Sequence, residues 1–65
     1  MTRAAFVDFV VGSSDLTESD AETVLDFYVR QKVATYNVHD GYNVKHGAFM
    51  DADVLERALQ AALFR

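Results

Sequence analysis

Val33-Ala-Thr-Tyr-Asn-Val-His-Asp-Gly-Tyr-Asn-Val-Lys-His-Gly47 is the stretch on which the fold turns, because it alone alternates apolar and polar residues around a turn signal. A two-residue turn at Asp40-Gly41 would set Val38 against Asn43 and Tyr36 against Lys45, mixing polarity on both faces. A three-residue loop, His39-Asp40-Gly41 with a left-handed Gly41, sorts the faces instead. It pairs Val38 with Tyr42, Tyr36 with Val44 and Ala34 with His46 on one side, leaving Thr35, Asn37, Asn43 and Lys45 on the other. The spacing predicts a hairpin of that register, with its apolar side against helices.

The acidic segment before the hairpin is the clearest helix. Ala21, Val24, Leu25, Tyr28 and Val29 recur at i, i+3, i+4, i+7 and i+8. Thr17 is the preferred cap, since Leu16 then staples against Ala21, and the helix is expected to reach about Lys32 and feed directly into the first strand. Upstream, Thr2 can cap a helix from Arg3 to about Val11, closed by Gly12. Its apolar residues cover nearly the whole circumference, so burial on more than one side is expected, part of it by a second copy or a partner. Phe6 and Phe9 are the candidate self-association residues.

Downstream, Asp51 caps a third helix with Val54, Leu55, Ala58, Leu59, Ala62 and Leu63 inward, Met50 stapling Leu55, an Asp53–Arg57 pair outward and Arg65 suiting the dipole at the end. The expected fold is a small α+β single domain over 1–65, helix-helix-hairpin-helix. The second and third helices are expected to pack on one face of the two-stranded antiparallel hairpin.

Composition bounds the function. At 65 residues the chain is near the lower limit for an unstapled core, and without cysteine it has no disulfide, thiolate metal site or cysteine nucleophile. The formal charge of -4 argues against direct binding to nucleic acid, which rewards a basic footprint. No apolar run is long enough to cross a bilayer and Asp8 interrupts the first one, so a cytoplasmic location with no signal peptide is expected.

No catalytic, cofactor or metal site is expected. Ser13 and Ser14 lie in no nucleophile elbow, there is no phosphate-cradling loop, and a hairpin with three helices offers little room to bury a substrate. In the expected register His39 and His46 lie about 15–20 Å apart along the strand, too far to share one ion.

Charge placement says more. No basic residue falls between Arg3 and Arg30, while Asp8, Asp15, Glu18, Asp20, Glu22 and Asp26 all lie there. Glu18, Glu22 and Asp26 stack at i, i+4 and i+8, and like charges at that spacing cost a few tenths of a kcal/mol each. With Asp15 they form the candidate partner-binding set, an anionic stripe able to imitate a phosphate backbone on a basic surface of a protein or ribonucleoprotein. The alternative is a homodimeric structural or regulatory protein of winged-helix-like layout, with weak DNA contact through Lys32, Lys45 and His46. Its third helix, with Asp53, Glu56, Arg57 and Gln60 outward, would be a poor groove reader.

The order of segments carries a resemblance. A short hydrophobic helix, a Ser13-Ser-Asp-Leu-Thr17 linker, the acidic Asp20-Ala-Glu-Thr-Val-Leu-Asp-Phe-Tyr28, the extended Lys32-Val-Ala-Thr-Tyr36, and Val44-Lys-His-Gly-Ala-Phe49 leading to Asp53-Val-Leu-Glu-Arg-Ala-Leu59 together resemble small accessory proteins of phages and mobile elements. Among these the chain is most similar to anti-CRISPR inhibitors, in size, acidity and element order. The resemblance implies a non-catalytic protein that occludes a nucleic-acid-binding surface of a bacterial defence complex.

Overall fold

The computed structural model describes residues 1–45, 47 and 51–64. Its order is α1 (Arg3–Ser13), α2 (Glu18–Arg30), β1 (Ala34–Asn37), β2 (Gly41–Val44) and α3 (Ala52–Leu63), the helix-helix-hairpin-helix sequence expected. The centre, however, is α2 and not the hairpin. Ala21, Val24, Leu25 and Tyr28 of α2 are buried against Phe6, Val7 and Val10 of α1, Leu55 and Ala58 of α3, and Ala34 of β1. Thus α3 packs chiefly on α2, and the hairpin leans on α2 through β1.

Local chemistry accounts for the element ends. Thr17 caps α2 with a reciprocal box: its hydroxyl accepts from the Asp20 amide at 3.1 Å, and the Asp20 carboxylate accepts from the Thr17 amide at 3.2 Å. Thr2 caps α1 and Asp51 caps α3, accepting from the amides of Ala5 and Asp53.

The far ends depart from expectation. Gly12 is helical, and α1 runs on to Ser13 because Ser14 does the terminating. The Ser14 hydroxyl donates to the Val10 carbonyl at 2.7 Å and accepts from the Leu16 amide at 3.2 Å. Nor does α2 run into the strand. It ends at Arg30, and Lys32 turns left-handed at φ 62°. The Val33 amide then donates to the Tyr28 carbonyl and the Lys32 amide to the Val29 carbonyl, a Schellman motif with lysine where glycine is usual.

The hairpin register is also corrected. Ala34 pairs with Val44, Thr35 with Asn43, Tyr36 with Tyr42 and Asn37 with Gly41, so the loop is Val38-His39-Asp40. The slip is two residues, which preserves the two faces but withdraws the Tyr36–Val44, Val38–Tyr42 and Ala34–His46 pairs. Two contacts favour it. The Asn37 side chain accepts from the His39 amide at 2.8 Å, starting the turn early, and Gly41, left-handed at φ 75°, lies over the Met1 backbone.

Several faces expected to be covered are open. On α1 only Phe6, Val7 and Val10 are buried, while Phe9 and Val11 stay about two-fifths exposed, so one side of that helix and not its circumference is enclosed. Val29 and Leu63 face out of their helices, and Tyr36 and Val38 out of the hairpin. Asp53 and Arg57 form no ion pair, because among the described residues the ion pairs are the two made by Arg3. The Met50 staple, the roles given to His46 and the placing of Arg65 lie outside the described residues.

Candidate functional site

The acidic stripe of α2 is built by its own cap. Carboxylates in the first turn suit the positive helix end, and four-residue spacing carries that charge down one face. Glu18, Glu22 and Asp26 are all exposed on it. Asp15 is exposed in the linker before it, and Asp20 is turned into the capping box.

Arg3, from the first turn of α1, lies across this stripe. Its Nε donates to Glu22 Oε1 at 2.9 Å and its Nη2 to Asp26 Oδ1 at 3.0 Å. Its Nη1 also reaches the Tyr42 phenol oxygen, at 3.4 Å. The Glu22 hydrogen bond, with help from Asp26 and Tyr42 and some opposition from partial burial, holds the guanidinium more firmly protonated than its ordinary range. The like-charge cost at Glu22 and Asp26 is thereby offset from another helix, a relief absent from α2 itself.

The relief is partial. Asp8 and Glu18 join Arg3, Ala4, Val7 and Glu22 around an open depression of about 370 Å³ between α1 and α2. Asp8, Glu18, Glu22 and Asp26 thus lie along a face on which, among the described residues, Arg3 is the one cation in an ion pair. Both ion-paired carboxylates keep half or more of their side-chain surface in water, so this field is accessible, and sensitive to salt.

Beside the acidic stripe, and meeting it at Asp26, the hairpin presents aromatics. Tyr36 and Tyr42 face each other with ring centroids 4.9 Å apart, and with Thr23, Asp26, Val29 and Arg30 they line an open depression of about 710 Å³. Tyr36 is 60% exposed there. His39 sits on the exposed loop, and no group of three potential metal ligands is gathered among the described residues. No helix described is long and apolar enough to cross a membrane.

The candidate self-association pair is divided. Phe6 is fully enclosed, edge-on to Tyr28 with ring centroids 6.5 Å apart, and belongs to the core; Phe9 is partly exposed. Arg3 and Tyr42 are the site residues that sequence reasoning missed. Arg3 lies 19 and 23 positions from the carboxylates it pairs and 39 from Tyr42, and no spacing rule spans such distances. No protein family, curated protein or solved structure matches this chain.

Proposed function

We propose that this protein is a small, non-catalytic binding module whose acidic α1–α2 face docks on a basic protein surface in the cytosol. The observation that supports the reading is the gathering of Asp8, Glu18, Glu22 and Asp26 on one face, where among the described residues Arg3 alone forms ion pairs, with Glu22 and Asp26. Such a field steers association with a cationic surface, and it weakens as salt shortens the screening length. A basic protein surface of this kind is typically one that holds nucleic-acid phosphates, so the module acts as an inhibitor by occlusion. This is the mode implied by the resemblance to anti-CRISPR inhibitors of bacterial defence complexes.

Competition tests the reading. Tagged protein is used to capture partners from bacterial lysate with and without added duplex DNA and RNA. A captured nucleic-acid-binding protein that is displaced by the added nucleic acid supports occlusion, and one retained at full amount under saturating nucleic acid contradicts it.

A second reading, a homodimer, draws on the partial exposure of Phe9 and Val11 on α1. Light scattering separates the two: a dimer that Val11→Ser converts to folded monomer would favour it.

A further inference from the structure

The first three residues do more than lead into α1. The Tyr42 amide donates to the Met1 carbonyl at 2.7 Å, and the Met1 amine donates to the carbonyls of Tyr42 and Asp40 at 2.7 and 3.2 Å. Met1 is thus bonded to the outer edge of β2 at Tyr42, as a one-residue third strand. That geometry also explains why Tyr36 and Tyr42 are a non-hydrogen-bonded pair across the ladder: the Tyr42 backbone groups point outward, to Met1. Two residues on, Arg3 grips Glu22 and Asp26 of α2 and touches the Tyr42 phenol. Thr2 between them is the α1 cap, so the segment has little slack.

One short segment therefore ties three parts of the fold: the β2 edge, the start of α1 and the acidic face of α2. Its grip on α2 is exposed, since the Arg3 side chain retains 36% of its surface in water. Its grip on the hairpin rests on Met1 alone, through two hydrogen bonds with Tyr42 and one to Asp40. Local opening of so thin a contact requires far less than global unfolding.

We infer that Met1–Arg3 is a releasable strap, closed by the Arg3 bridge to Glu22 and Asp26 and opened when those carboxylates are taken from it. The inference rests on the proposed docking of the acidic face. A cationic side chain of the partner that engages Glu22 and Asp26 competes with Arg3, and losing the bridge frees Met1 from Tyr42 and bares the edge of β2. Docking on α2 is thereby felt at the adjoining edge of β2.

The strap is tested on the protein alone, apart from any partner. Amide hydrogen exchange is followed residue by residue in the unaltered protein, in Arg3→Gln, in the double variant Glu22→Gln, Asp26→Asn, and in Arg57→Gln, a control that matches the charge change of Arg3→Gln without removing an ion pair. Loss of the bridge is expected to speed exchange of the Tyr42 amide about fivefold or more, while the Leu25 and Leu55 amides and the control stay unchanged. Unaltered Tyr42 exchange in both bridge variants would overturn the strap, and so would equal acceleration at Leu25 and Leu55, which would make Arg3 a general stabiliser. If the strap holds but nucleic acid displaces no partner, the docking reading fails by itself.

Discussion

Lys32 occupies the one left-handed backbone position among the described non-glycine residues, at φ 62°. Its Cβ carries the usual penalty of that region, accepted because the chain must reverse out of α2 within two residues to deliver Val33 and Ala34 to the core. Replacing Lys32 with glycine is expected to raise stability by up to about 1 kcal/mol, read as a higher urea midpoint at constant slope. Gly41 is the reverse case. At φ 75°, any Cβ there would drive into the Met1 carbonyl oxygen, so Gly41→Ala is expected to cost about 1–3 kcal/mol and to unseat Met1, seen as lost protection of the Tyr42 amide. The glycine's handedness was legible in the sequence, because Asp-Gly inside an alternating stretch calls for it. The left-handed lysine was not, since nothing in a Gln-Lys-Val run signals a helix end. Arg3 was invisible for another reason: its partners are chosen by the packing of α1 on α2.

At the level of elements, what the sequence disclosed followed from short-range rules. The three caps at Thr2, Thr17 and Asp51 stand where hydroxyl and carboxylate placement puts them, and the inward residues of α2 were marked by periodicity except for Val29. The hairpin shows where such rules stop. Alternation fixes which residues share a face but not a slip of two, and the slip was decided by the Asn37 turn contact and by Met1 across the other edge. Helix α1 misled in a different way, because apolar composition all round was read as burial all round, whereas a small molecule leaves Phe9 and Val11 partly in water. The packing of α1 on α2 also bears on pH. Burial raises the Tyr28 phenol above its usual 10.0, so the native state keeps this proton while the unfolded chain gives it up. Its stabilising contribution is complete below about pH 10 and is lost as the pH climbs through the folded value. The urea midpoint is therefore expected to fall more steeply as the pH rises above about 10 in the unaltered protein than in Tyr28→Phe; parallel slopes would contradict the assignment.

Across the whole molecule, an acidic face and a tyrosine face adjoin around the central α2. The acidic division carries Asp8, Glu18, Glu22 and Asp26 with Arg3, and Tyr36 and Tyr42 of the hairpin meet it at Asp26 and Arg3. The acidic half of this division could be read from the sequence, where no basic residue separates Arg3 from Arg30. What could not be read is that Arg3 folds back onto it, which shifts the accessible negative charge toward Asp8 and Glu18. The most direct test is partner capture from bacterial lysate by the unaltered protein and by the double variant Asp8→Lys, Glu18→Lys, neither side chain being in an ion pair among the described residues. The double variant is expected to stay folded and to lose a basic, nucleic-acid-binding partner that the unaltered protein retains at low salt and releases at high salt. Equal recovery of the same partner by both proteins, with no response to salt, would contradict the docking of this face.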